Sequence, residues 1–170
     1  MAKIRIKLLF LVGMGLYTGC ASVPETYETQ HDPCVGSGTA IVVEGAHNLL
    51  HLCRHNRHQK SYAVAFGQAG LGKEKVGDRK TPIGTYSLKE PRPSYSGFKT
   101  FIEIRVPRTM GIAVGIHGPK RWSRFMGTLN TRTDWTLGCI AVARDAEIEA
   151  IADFVRTHPK AKIHIRPNES

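Results

Sequence analysis

Asp134-Trp135-Thr136-Leu137-Gly138-Cys139-Ile140-Ala141-Val142 sets a cysteine directly after a glycine and at the head of a short apolar run. Upstream, Ile112-Ala113-Val114-Gly115-Ile116-His117-Gly118 ends an equally apolar run on a histidine. Short apolar runs bounded by glycine read as buried strands, so each reactive side chain falls at a strand end. A thiol near neutral pH is mostly protonated, and its thiolate is the nucleophile. A neighbouring imidazole can take that proton, which makes Cys139 the candidate nucleophile and His117 the candidate base. Backbone N–H groups at Gly138 and Cys139 are the nearest candidate donors to a developing oxyanion. The competing interpretation is a structural cysteine beside a hydrogen-bonded core histidine.

Working outward, the chain reads as mainly β. Thr39 to Glu44, Leu49 to Arg54 and Ser61 to Phe66 form three short strands with polar turns between them, a meander. Gly67 to Gly77 is a glycine- and lysine-rich loop bordering a cleft. Its Gly70-Leu71-Gly72-Lys73 lacks the spacing of a phosphate loop. Asp78 to Tyr86 carries a Pro-x-Gly turn that feeds a strand through Leu88, and Phe98 to Val106 and Ile112 to Ile116 are further strands. Pro119 to Thr133 has no clean period and joins the two candidate catalytic residues, as a lid or groove wall would; an ordinary surface helix and loop is the alternative. Asp145 caps a helix to about Arg156, with Ile148, Ile151, Ala152 and Val155 on one stripe. Lys162 to Arg166 closes the domain as a strand.

The 170 residues, 41% hydrophobic and 22% charged, suit one globular domain after a removable start. Lys3, Arg5 and Lys7 precede a short apolar stretch, Leu8 to Tyr17, too brief to span a bilayer. It ends at Tyr17-Thr18-Gly19-Cys20, which resembles a bacterial lipoprotein signal and implies lipidation at Cys20. The reading is thus a signal peptide over 1–19, a polar tether over 20–38 and a catalytic domain over 39–167. The formal net charge of +10 favours anionic partners such as phospholipid headgroups or a wall polymer. No nucleic-acid motif is present. Export implies an oxidising compartment. With Cys20 lipidated and Cys139 free, Cys34 and Cys53 remain as a disulfide pair, against two separate thiols. His51, Cys53 and His55 would share one strand face with His58 near, but the spacing fits no established zinc pattern. Exposed hairpin histidines are expected there, and no metal.

His117-Gly118, seventeen residues from Pro119 to Trp135, then Thr136-x-Gly138-Cys139 resemble the active-site signature of the L,D-transpeptidase catalytic domain (YkuD-like) family. Asp78 to Tyr86 resembles the same family's Asp-Gly-x-Thr-Pro-x-Gly-x-Tyr segment, with Arg79 in place of Gly. The match spans about residues 39 to 166. It implies a curved β-sheet or sandwich with one C-terminal helix and a lid-like connection. It also implies action on peptidoglycan stem peptides, cutting after the L-centre of a diamino acid and releasing the terminal D-residue. By this resemblance Cys139 is the nucleophile, His117 its base, the Gly118 carbonyl the imidazole's orienting partner, and Thr136 the hydroxyl near the thiol. Tyr86, Trp135 and Arg124 are candidate substrate contacts. Two departures stand out. Leu137 replaces the usual His or Arg, and Ala141 replaces a common Arg, leaving the substrate-carboxylate contact to Arg121, Arg124 or Arg144. The Asp134-to-Ala141 variant resembles a divergent branch with hydrolytic members that remove wall-attached lipoprotein.

No cofactor is needed for thiolate chemistry. The expected setting is the periplasmic side of a bacterial envelope, with a lipid anchor, outer-membrane sorting favoured, and a monomer. Transfer to an amine leads hydrolysis by water. A wall-binding lipoprotein on an inactive scaffold is the alternative from another class, and a metal hydrolase on His51 and His55 would need chelator sensitivity.

Overall fold

The computed structural model describes residues 32–111 and 113–167. Cys20, the signal-like segment and most of the tether lie outside them. Among the described residues the strands are β1 (Ala40–Glu44), β2 (Leu49–Arg54), β3 (Arg57–Ala65), β4 (Gly84–Ser87), β5 (Arg92–Pro93), β6 (Thr100–Glu103), β7 (Gly115–His117), β8 (Ile140–Val142) and β9 (Lys162–Arg166), with one α-helix, α1 (Asp145–Thr157). The strands form one sheet in the order β4-β9-β1-β2-β3-β8-β7-β6-β5.

That sheet curls. β3 is the hinge strand: its first part pairs with β2, and Val64 and Ala65 then pair with β8. The far edges meet where Leu88 and Ile104 form a bridge and the Lys89 and Arg105 N–H groups donate to the Glu103 and Ser87 carbonyls. Curling wraps β-branched faces around a single core of Ile41, Val43, Leu50, Val64, Ile102, Ile116, Ile140 and Ile163. α1 covers that core with Ile148, Ile151, Ala152 and Val155, the stripe expected from the sequence. Burying each large aliphatic side chain there contributes roughly 1.5–3 kcal/mol.

Three expectations change in detail. Asp145 is not the helix cap. Arg144 occupies that position, and the Glu147 carboxylate accepts the Ala143 and Arg144 N–H groups at 2.9 and 3.2 Å. A longer carboxylate three residues in reaches back where Asp145 cannot, because Asp145 is bound to Arg124. The strand expected from Phe98 is ordered as strand only from Thr100, since Phe98 turns onto the candidate base instead. The histidines are not all exposed. His51 is buried and bonded to Ser61 and Glu44 at 2.8 and 3.0 Å, while His55 lies past the end of β2 in a turn with positive φ. No group of metal-ligating side chains occurs among the described residues.

Cys34 and Cys53 form a disulfide with Cα atoms 5.3 Å apart, packed on Val42. It ties the segment before β1 to β2. Both sulfurs are fully buried, so the bridge is shielded from solvent. Closing a loop of this length stabilises a fold by about 3 kcal/mol in the chain-entropy model. A Cys34→Ala/Cys53→Ala double variant is expected to lose about that much, read as a lower midpoint in urea unfolding that no longer responds to reductant.

Candidate active site

The opening stretch is anchored before it reaches the cysteine. Asp134 Oδ1 accepts the Phe66 N–H at 2.8 Å, Thr136 N–H donates to the Phe66 carbonyl, and Gln68 N–H donates to the Thr136 carbonyl. Residues 134–136 thereby extend the end of β3. Thr136 Oγ1 then donates to the Cys139 carbonyl at 2.7 Å and accepts the Gly138 N–H at 3.1 Å. Gly138 has φ of +126°, and a Cβ there would lie 2.7 Å from the Lys80 carbonyl. Only glycine makes this turn beside a neighbouring backbone. A second hydroxyl, Thr81 Oγ1, donates to the same Cys139 carbonyl at 3.2 Å and accepts the Gly67 N–H.

β7 and β8 are parallel neighbours, with Ile116 opposite Ile140 and His117 opposite Ala141. His117 closes β7, Cys139 directly precedes β8 two register positions back, and both line a cavity of about 520 Å³. The imidazole is buried. Its Nδ1–H donates to the Gly118 carbonyl at 2.7 Å, because a carbonyl can only accept, which leaves Nε2 with a lone pair. Phe98 stacks on the ring at 3.8 Å between centroids, and Trp135 meets it edge-on at 5.6 Å. Burial pushes the His117 pKa down to about 4, and Lys120 adds to the effect, against the pull of the Gly118 carbonyl. Burial likewise pushes the Cys139 thiol above its ordinary value, opposed by the Gly115 N–H and the Lys73 ammonium. At neutral pH the resting pair is a neutral thiol beside a neutral imidazole. The thiol points at the Ala113 carbonyl, with Sγ 3.5 Å from its oxygen.

The cavity gathers Cys139, His117, Thr136 and Trp135 from the sequence-derived set. Gly118 and Gly138 adjoin it through the hydrogen bonds just described. Two candidates are not in its lining. Tyr86 lies on edge strand β4, where its hydroxyl donates to the Ile83 carbonyl at 2.7 Å. Arg124 is held by Asp145 at 2.8 Å. Arg144 pairs with Glu147. The cations that do line the cavity, Lys73 and Lys120, come from a glycine-rich loop and from the residue after Pro119. Gly70-Leu71-Gly72-Lys73 was legible only as a loop; the buried Lys73–Asp78 ion pair at 2.7 Å has no local sequence signature. Phe98, the ring on the imidazole, had none either.

The family model for the L,D-transpeptidase catalytic domain (YkuD) matches residues 38–165. The chain belongs to that family. Similar solved structures include the helical cell shape determining protein Pgp2 from Campylobacter jejuni, with a TM-score of 0.61, 20% identity, and coverage of 77% of this chain and 48% of that one. The catalytic domain of the E. faecium L,D-transpeptidase has a TM-score of 0.53 and 13% identity, covering 76% of this chain and 97% of that one. An L,D-transpeptidase from Stackebrandtia nassauensis gives 0.53 and 13%, covering 84% and 64%. These likenesses establish the fold: a mostly β, curled sheet with one helix. The chain spans about half the length of Pgp2. No curated protein matches this chain at a significant level.

The buried imidazole makes the fold acid-sensitive. Its folded pKa of about 4 lies below the ordinary 6.5, so between those values the unfolded chain binds more protons. Stability from this group is complete above pH 6.5 and falls as pH drops toward 4, by up to roughly 3 kcal/mol. His51 and His164 shift the same way. Urea midpoints of the unmodified chain and of His117→Gln, followed from pH 7 to 4, should differ in slope, the variant losing less.

Proposed function

We propose that this chain modifies bacterial peptidoglycan, as an L,D-transpeptidase acting on stem peptides through an acyl-enzyme on Cys139. The observation that carries this reading is that Cys139 and His117, from adjacent parallel strands, line one cavity, with Nδ1 tied to the Gly118 carbonyl. That tautomer leaves Nε2 to take the thiol proton as sulfur attacks the carbonyl carbon at the L-centre of the diamino acid. The tetrahedral intermediate collapses by breaking the amide C–N bond. The departing amine of the D-residue takes the proton from Nε2, and a thioester remains on Sγ. An acceptor amine then repeats these steps in reverse order, giving its proton to Nε2 as it attacks the thioester.

Gly138 N–H donates to Thr136 Oγ1, so the Cys139 N–H is the better candidate for the oxyanion. Thr136 acts through the backbone, holding the Cys139 carbonyl and the Gly138 amide. Trp135 walls the cavity with its Nε1–H fixed on the Asn130 carbonyl at 2.8 Å. The envelope setting and the lipid anchor at Cys20 belong to the same proposal and rest on the N-terminal sequence alone.

Incubating the protein with tetrapeptide muropeptides and an amine acceptor, and weighing the products, tests the assignment. Cross-linked dimers or exchanged D-amino acids are expected, and bare tripeptides instead would make water the acceptor. Cys139→Ala should leave a folded protein with turnover lowered by at least about a thousandfold, as for loss of other covalent nucleophiles. Unchanged turnover in that variant would remove the nucleophile assignment.

A further inference from the structure

The charged and titratable side chains lining the catalytic cavity are Cys139, His117, Lys73 and Lys120. They include two cations and no carboxylate. Lys120 is exposed, with its ammonium 5.8 Å over the Trp135 ring. Lys73 is different: only 5% of its surface is exposed, and lysine is rarely buried unless paired. Its Nζ donates to Asp78 Oδ1 at 2.7 Å. It also lies 3.4 Å from where a Cβ would stand on Gly138, the residue before the nucleophile.

Asp78 is held by more than this lysine. Its Oδ2 accepts the Glu74 and Lys75 N–H groups at 2.8 and 3.0 Å, and its Oδ1 accepts the Lys80 N–H at 3.1 Å. Burial raises the Asp78 pKa, but the Lys73 ammonium and these three backbone donors outweigh it and hold the carboxyl well below the usual carboxylate range. The carboxylate is thus satisfied largely by the loop itself. An ammonium has three donors, and Asp78 is the one acceptor recorded for Lys73 among the described residues. The loop is fixed in turn: Gly72 and Lys73 N–H donate to the Thr81 carbonyl, and the Thr81 hydroxyl donates to the Cys139 carbonyl. One rigid unit therefore carries both the cation and a hydroxyl that holds the nucleophile's backbone.

We propose that Lys73 is the built-in counter-charge of the Cys139 thiolate: a buried ammonium, held by Asp78 against Gly138, that stabilises the sulfur as its proton leaves for His117. The inference rests on Cys139 being the nucleophile. It explains how a neutral, desolvated thiol–imidazole pair reaches the reactive ion pair. A thiolate formed in a half-buried site is costly unless a fixed cation faces it. His117 supplies a cation only after it has taken the proton, whereas Lys73 is charged beforehand. Lys120 faces the same cavity from beyond Pro119, but solvent screens it. Asp78 is the carboxylate paired with Lys73, and its charge is spread over three backbone donors.

The test reads the sulfur directly. Iodoacetamide labelling of the Cys139 peptide is followed by mass spectrometry against pH in the full chain, in Lys73→Met and in Lys73→Arg. An opposite charge close by moves a pKa by about one unit or more. Lys73→Met should therefore shift the labelling midpoint up by about one unit. The rate at neutral pH should fall only about threefold, because the more basic thiolate is also the better nucleophile. Lys73→Arg should restore the midpoint. A purely structural lysine would alter unfolding without moving that midpoint. Asp78 keeps its three backbone donors in Lys73→Met, so a folded variant is expected, and Lys73→Gln, which retains a donor to Asp78, serves as a second neutral replacement. A folded neutral variant with an unmoved midpoint overturns the proposal; so does failure of both neutral variants to fold, which would assign the pair to the fold alone. Turnover in Cys139→Ala tests the nucleophile separately, so either reading can fail without the other.

Discussion

Two threonine hydroxyls converge on the carbonyl oxygen of Cys139, and much of the site depends on that convergence. Thr136 comes from the segment that extends β3, and Thr81 from the loop that leads to β4. Neither contact is to the sulfur. Together they fix the peptide that carries it, at the point where the backbone enters β8. Each hydroxyl is itself occupied as an acceptor, Thr136 by the Gly138 N–H and Thr81 by the Gly67 N–H. A hydroxyl bonded on both sides has its rotor set. Cys139 is thereby referenced to two separate parts of the chain, and the parallel register of β7 against β8 sets His117 opposite Ala141, two residues beyond Cys139.

Glycine is what allows these parts to approach. An added Cβ on Gly67 would strike the Arg79 carbonyl and one on Gly138 the Lys80 carbonyl. The loop from Gly67 to Thr81 thus packs backbone to backbone against the Gly138–Cys139 turn, leaving no room for side chains between them. The same closeness brings the Lys73 ammonium to Gly138. Sequence spacing predicts a loop beside a cleft here, and the cleft does exist. What that loop contributes is set by hydrogen bonds between residues far apart in sequence, and a loop has no period from which to read them.

Elements with a repeating pattern were legible, and single long-range partners were not. Alternation and β-branched runs mark β1, β2, β3 and β9, and the 3.6-residue stripe marks α1, because each follows from burying one face against a common core. The Cys139 and His117 pair was legible because motif order and strand ends place it. Tyr86 was a candidate by resemblance, and Arg124 one of three arginines left open for a substrate carboxylate; here the Tyr86 hydroxyl is bonded to the Ile83 carbonyl three residues away, and the Arg124 guanidinium to the first carboxylate of α1. Phe98 could not be read as the imidazole's stacking partner, since the pairing spans the turn between β5 and β6 and then crosses to β7.

The two departures from the family signature are physically unlike. Ala141 is fully buried, opposite Ala65 on one side and His117 on the other. An arginine there would have to displace core packing at the centre of the sheet, so alanine at this position reflects how tightly β3, β8 and β7 are assembled in this chain. Leu137 is 72% exposed on the cavity rim, where a polar residue would meet whatever enters. With leucine at this rim position, the cations lining the cavity are buried Lys73, close to Gly138, and exposed Lys120, beside Trp135. A buried charge is weakly screened by salt and acts at short range, whereas rim charges steer from a distance and fade with ionic strength. In this chain the buried cation of the cavity lies close to Gly138, and the lining also holds the apolar Leu137, Val76 and Met110.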